Sequence, residues 1–320
     1  MSKGIFTISL DFELFWGVRD HRTLENYGGN LRNVHKVVPR LLALFTEYNV
    51  HCTWATVGFL FFKDKNEMLG YFPSSLPGYK MKEYDPYSYI QQNELETIYH
   101  FAPALIEQIK NTPGQEIGTH TFCHFYTLEK NTTVEQFQHD LQAAKRIAGE
   151  KGITINSIVF PRNQYSEAHI RVCLQEGIKI YRGNERSGAY KPISRENENY
   201  FRRAIRFGDA YLNVTGHHCH PLPAPGEIIN IPASRFLRPY SPKLKMFDGL
   251  KFRRIEDGLR SAAKHGLIYQ LWWHPHNFGS YMDENFSFLE KVFTVYRDLE
   301  AEQKIESLNL MEIYQRTKNP

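Results

Sequence analysis

Short apolar runs that break off at a charged or imidazole-bearing residue recur along this chain, separated by stretches with helical spacing. Residues 5–10 stop at Asp11-Phe12-Glu13, the run ending at Gly118 is followed by Thr119-His120, residues 155–160 lead into Pro161-Arg162-Asn163-Gln164-Tyr165, and residues 267–273 end at His274-Pro275-His276. Further strand-like runs cover 52–59, 178–181, 227–232 and 305–308. Between them, apolar residues at three- and four-residue intervals predict helices over about 31–48, 94–111, 133–151, 167–176, 255–265 and 284–300, with a last one from Met311. Pro39 predicts a kink in the first helix or a helix that begins there. Thr133-Val134-Glu135-Gln136 has the form of a capping box. Strands alternating with helices argue for an α/β fold with a parallel sheet. Seven or eight such units, without a glycine-rich dinucleotide loop after the first strand, favour a closed barrel over a doubly wound sheet.

A chain of 320 residues can bury a sizeable core in one large or two small domains. The formal charge of +4 is too small to argue for nucleic acid. No apolar run approaches the roughly 20 residues that span a bilayer. The first run is short and ends in acids, unlike a secretory leader. Four cysteines, Cys52, Cys123, Cys173 and Cys219, are scattered without a CxxC pair, so neither a disulfide framework nor a thiolate zinc site is indicated. The expected setting is reducing and cytoplasmic.

In a parallel barrel, functional groups collect where strands finish. Asp11 and Glu13, His120 and His124, Arg162, and His274 each follow a separate apolar run. His120 and His124 stand four apart, a spacing that places both imidazoles on one side of a helical turn. Asp11 and Glu13 stand two apart and share a face if the strand pleat continues. Two imidazoles and a carboxylate suit zinc or a similar divalent metal, which lowers the pKa of bound water and polarises a carbonyl. A second carboxylate can then take the water's proton, and an opposite histidine can protonate a leaving amine. The chemistry implied is hydrolysis of an amide. Geometry alone leaves open which carboxylate holds the metal, and His276 competes with His274.

These residues resemble the polysaccharide deacetylases of carbohydrate esterase family 4, with the NodB homology domain. Leu10-Asp11-Phe12-Glu13 is similar to the first motif of that family, His120-Thr121-Phe122-Cys123-His124 to its H-(S/T)-x-x-H metal motif, Phe160 to Tyr165 to the arginine motif, and Leu271-Trp272-Trp273-His274 to the L-x-x-H motif. The motifs fall in family order over most of the chain. The resemblance implies an irregular seven-stranded (β/α) barrel in which Asp11 is the base, Glu13, His120 and His124 bind the metal, Arg162 orients Asp11, and His274 is the general acid. Tyr165 and Trp273 would bind substrate. The family's usual first motif has adjacent aspartates, the third lacks its usual proline here, and the fourth has no clear counterpart. The implied substrate is an N-acetylated sugar or polysaccharide intermediate, in a cytoplasmic branch tied to surface-polysaccharide biosynthesis. A deformylase, a cyclic-amide hydrolase and an inactive carbohydrate-binding barrel are the alternatives.

Three stretches stand apart. Residues 60–93 form a long aromatic loop whose rings could stack on a sugar or touch a membrane surface, though packing on the body is the favoured reading. Residues 182–226 read as a basic irregular insertion, which with Arg235 and Arg238 could hold a diphosphate. His217, His218 and His220 form a dense group whose spacing does not share one face, so a polar loop is favoured over a metal site.

Overall fold

A computed structural model describes residues 2–318. Nine strands form one all-parallel sheet: β1 (Gly4–Phe12), β2 (Cys52–Thr56), β3 (Gln115–Thr119), β4 (Ser157–Val159), β5 (Ile180–Gly183), β6 (Ile229–Pro232), β7 (Arg235–Phe236), β8 (Ile268–Trp273) and β9 (Ile305–Ser307). Their order is β6-β5-β4-β3-β2-β1-β8-β7, with β9 on β1. β9 pairs with Gly4 to Phe6 and β2 with Ile8 to Phe12, so the two share one flank of β1. β6 and β7 are one bent strand. The Ala233 N–H donates to the Gly183 carbonyl on β5, and the next residue, Ser234, donates to the Gln270 carbonyl on β8. Two residues thus carry the chain from one end of the sheet to the other and close it, leaving seven staves around an irregular (β/α) barrel.

β1 is buried over its whole length. Its pleat sorts the side chains by period two. Phe6, Ile8, Leu10 and Phe12 join the main apolar core beneath the helices, while Ser9 and Asp11 face inward and both meet Arg182. The barrel's far end is plugged by polar pairing. Half-buried Glu116 accepts from Thr53 Oγ1, Ser157 and the Met311 N–H, and Thr53 Oγ1 accepts the Leu310 N–H, docking the C-terminal helix Leu310–Lys318.

The helices follow the sequence reading with shifted ends, except that the one expected over 94–111 is split at Pro103 into Thr97–His100 and Pro103–Lys110. The first spans Leu24–Glu47, opens on a Thr23/Asn26 capping box and runs through Pro39. Buried Val37, Val38, Leu41 and Leu42 flank that proline and hold the segment against the sheet although a backbone rung is lost. Gly28 and Gly29, poor helix formers, hid its first turns from the sequence reading. The Thr133 capping box opens helix Val134–Glu150 as expected. The helix expected from 255 begins at Asp248. Within 60–93, short helices Lys65–Leu69 and Pro86–Gln92 carry rings that pack inward: Phe72 meets Tyr87 at 4.7 Å, and Tyr84 meets Tyr126 at 5.4 Å. Two elements lie inside the stretch read as irregular: Arg182 belongs to β5, and a helix covers Tyr200–Asp209. No described helix is long and apolar enough to cross a membrane.

Candidate metal and amide-hydrolysis site

Where β1 ends, the backbone leaves the extended conformation at Glu13 and enters a 3-10 turn, Leu14–Gly17. The Glu13 side chain folds back over that turn, and a Cβ at Gly17 would fall inside its carboxyl group. Glycine at 17 therefore makes the cradle in which this carboxylate lies. Its Oε2 is 3.0 Å from His124 Nε2 and 3.4 Å from His120 Nε2, and all three residues are buried.

The two histidines do not share a helical turn as their spacing suggested. His120 follows β3, and its N–H donates to the Thr56 carbonyl of β2. The chain then turns through Thr121 (φ 66°) and His124 (φ 62°), left-handed values that non-glycine residues seldom adopt. The Thr121 hydroxyl accepts the Phe125 N–H at 2.7 Å. Asp140, buried on the helix behind, accepts the N–H groups of Phe122 at 2.7 Å and Cys123 at 3.1 Å. Such strain persists only where neighbouring contacts over-determine it. Here it aims both Nε2 atoms at one carboxylate oxygen.

His120 Nδ1 lies 2.8 Å from the Val159 carbonyl, which can only accept. Nδ1–H therefore donates to that carbonyl, which turns Nε2 toward the site. Burial holds the His124 imidazole at about 4 and that of His276 at about 3, so both stay neutral. Burial pushes the Glu13 carboxyl up, but His274, His124 and His120 together hold it well below the usual range. Its salt-bridge partners among the described residues are imidazoles, with no arginine or lysine. A buried carboxylate met by two imidazole Nε2 atoms is a donor set that fits a divalent cation. Among the described residues, only Glu13, His120 and His124 meet as three such donors.

Asp11 is held differently. Arg182 Nη1 and Nη2 donate to its two oxygens at 2.7 and 2.9 Å, and the same guanidinium donates to Ser9 Oγ and Asn163 Oδ1, each at 2.9 Å. It also lies over the Trp272 ring at 4.3 Å. Burial pushes the Asp11 carboxyl up, and Arg182, His120 and His274 more than offset this and keep it ionised. His274 directly follows β8, with Nε2 3.7 Å from Asp11 and 3.6 Å from Glu13, while Nδ1 meets Asn277 Oδ1 at 3.2 Å. His276 stacks behind it at 5.0 Å, buried, and only His274 borders the adjoining cavity of about 310 Å³.

Three expected contributors do not take the places expected of them. Arg162 does not reach Asp11. It pairs with Asp20 and Glu129 and sits over the Tyr126 ring at 3.7 Å, and the guanidinium on Asp11 is that of Arg182. Trp273 is fully buried and stacked on Phe278 at 5.6 Å, because strand alternation turns its neighbour Trp272 to the cavity instead. Tyr165 packs on Phe160 and Tyr181, outside that cavity. Arg235 does border the cavity, but its guanidinium pairs with Asp209 at 2.6 Å. The histidines at 217, 218 and 220 diverge: His217 meets Arg254, His218 meets Thr215, and His220 bridges to Ile268.

No family model matches this sequence, and no curated protein does. Solved structures do share its architecture. A protein assigned as a polysaccharide deacetylase from Mycobacterium smegmatis superposes with a TM-score of 0.57 at 12% identity, over 99% of this chain and 92% of that one. Puue allantoinase gives 0.53 at 10% identity, over 97% and 88%. A 4-alpha-glucanotransferase from Thermococcus litoralis gives 0.53 at 12%, over 98% of this chain and 40% of that one. These names differ in activity, so the fold does not set the reaction. The protein shares its irregular (β/α) barrel with these structures, a polysaccharide deacetylase-type fold among them.

Proposed function

We propose that this protein is a divalent-metal-dependent hydrolase that removes the N-acetyl group from an amino sugar or sugar intermediate. The observation that carries the reading is the meeting of Glu13, His120 and His124, with Asp11 and His274 alongside. Glu13, His120 and His124 would hold the cation, zinc by the character of the ligands. When bound, such a cation makes water acidic and polarises a carbonyl. Asp11, kept ionised by Arg182, accepts the proton of the attacking water. His274 has its Nδ1 engaged by Asn277, which leaves Nε2 to give a proton to the departing nitrogen. Trp272 borders the cavity beside His274 and offers a ring face on which a sugar can lie. The setting we propose is the cytoplasm, in the assembly of a surface polysaccharide.

The test is metal analysis and acyl release together. Purified protein should retain about one divalent ion per chain, lose it in Glu13→Gln, and release acetate from an N-acetylated amino sugar only when loaded. A wild-type protein that binds no divalent ion, or that releases no acetate from a panel of such sugars, sinks the proposal. Mass spectrometry of the small product separates acetate from formate or a ring-opened amide. A binding barrel without turnover predicts that Asp11→Asn leaves biological function intact, whereas catalysis predicts a loss of about 10²–10⁴-fold in rate.

A further inference from the structure

The cavity beside His274 carries more positive charge than its own residues offset. Five bases line it, Arg162, Lys191, Arg206, Arg235 and Arg238, against two acids, Glu185 and Glu198. Arg162 and Arg235 are answered by Asp20, Glu129 and Asp209 from outside the lining. Arg206 donates to Glu198 at 2.7 Å. Arg238 and Lys191 have no salt bridge or side-chain hydrogen bond among the described residues.

Arg238 is the telling one. It stands two residues after Phe236 of β7, and both border the cavity, whereas Leu237 between them is buried in the core. Phe236 in turn touches Trp272 at 4.7 Å and His274 at 5.9 Å. The Arg238 guanidinium therefore stands on the same wall as the proposed proton donor. It rests on the Phe207 ring at 5.2 Å, and burial, together with Arg206 and Arg235, pushes its pKa down. Glu185 forms no salt bridge with these bases among the described residues; its carboxyl accepts from Trp272 Nε1 at 3.4 Å, and burial pushes its pKa up. A half-buried guanidinium among like charges is costly unless an anion arrives to pair with it. Neutral sugar hydroxyls need no such charge, while phosphate and carboxylate match the guanidinium fork.

We infer that Arg238, with Arg206 and Lys191, forms an anion-binding subsite, and that the sugar deacylated at this site carries a phosphate or carboxylate group. The substrate half of this statement rests on the proposed amide hydrolysis; the anion site itself does not.

Two measurements keep those parts apart. The first is calorimetric titration with inorganic phosphate and pyrophosphate at fixed ionic strength. Wild type and His124→Ala should bind, Arg238→Ala should bind at least tenfold more weakly, and Arg260→Ala, exposed, paired with Glu256 and outside the cavity lining, should match wild type. Binding that survives Arg238→Ala but is lost in His124→Ala places the anion at the metal ligands and overturns the subsite, as does no binding at all. The second measurement compares N-acetylglucosamine, its 1-phosphate and an N-acetylated aminouronic acid. The subsite predicts a kcat/KM at least tenfold higher for an anionic sugar, lost through KM in Arg238→Ala while kcat stays. The phosphate and the uronic acid show which anion is preferred. Equal kcat/KM for charged and neutral sugars overturns the substrate claim and leaves amide hydrolysis standing. No acyl release from any of the three counts against the hydrolase reading, and calorimetry alone then decides the subsite. Arg238→Gln and the exposed Lys191→Ala serve if Arg238→Ala does not fold.

Discussion

Replacing Arg182 with methionine tests the electrostatic logic of the barrel interior most directly. The substitution keeps an unbranched side chain of similar reach and removes the charge and all four hydrogen bonds to Asp11, Ser9 and Asn163. Arg182 is 1% exposed and Asp11 3%, so water cannot replace the lost donors. Breaking a buried pair by removing one partner costs about 3–5 kcal/mol, a large share of the roughly 5–15 kcal/mol that holds a domain together. The protein should still fold, with its urea midpoint clearly lowered. Removing the stranded charge as well, in Arg182→Met with Asp11→Leu, should recover most of that loss, because apolar replacement of a whole buried pair is often neutral. Equilibrium urea unfolding followed by circular dichroism gives the four free energies of the cycle. A coupling of at least about 2 kcal/mol is expected between positions 11 and 182, and none between 11 and 162. Additive effects at 11 and 182, or strong coupling of Asp11 to Arg162, would refute the assignment.

Four further outcomes follow from the same contacts. Gly17→Ala should weaken divalent-metal binding more than tenfold while costing little global stability, since the new methyl displaces only the Glu13 carboxyl; unchanged affinity by competition with a metallochromic chelator would contradict the cradle. Asp140→Ala leaves two buried N–H groups without an acceptor, at about 1–3 kcal/mol each, and should lower both the melting temperature and metal retention. Buried His100 has its pKa pushed from 6.5 to about 4 by desolvation, so the unfolded chain binds a proton the folded one refuses. Stability should therefore rise with pH between about 4 and 6.5, by at most about 3 kcal/mol from this residue, and His100→Gln should flatten that slope in urea titrations at pH 5 and 7. Thr133→Ala removes the acceptor of the Gln136 N–H and should cost about 1 kcal/mol in the same assay.

The strands that carry the site were legible because parallel, doubly covered strands are continuous apolar runs, and a charged residue that ends one stands out. Asp11, Glu13, His120, His124 and His274 were singled out in that way, and the structure brings them together. Arg182 was not, since it sits among many arginines and nothing local says that one of them enters the barrel. Arg162, conspicuous after its apolar run, drew the role instead, yet the left-handed backbone at Arg162 and Asn163 turns its guanidinium toward Asp20. Asp140 left a usable signal: it lies between Phe137, Leu141 and Ala144 on the buried face of its helix, where an acid needs donors. Gly17 left none, because only the folded path of Glu13 shows what it makes room for. Choosing Trp273 over Trp272 was a one-residue error in strand phase, which inverts the face presented.

The bend that closes the barrel at Ala233 and Ser234 divides labour within the molecule. Arg235, Phe236 and Arg238 descend from that seam, where the hoop of lateral hydrogen bonds passes through a two-residue corner. Glu13 and Asp11 hang from the end of β1, which β2 and β9 flank on one side and β8 on the other. Changes at the corner can thus retune which molecule is admitted while the acids and imidazoles keep their spacing, so a chain of this design can exchange one guest for another without relearning its chemistry.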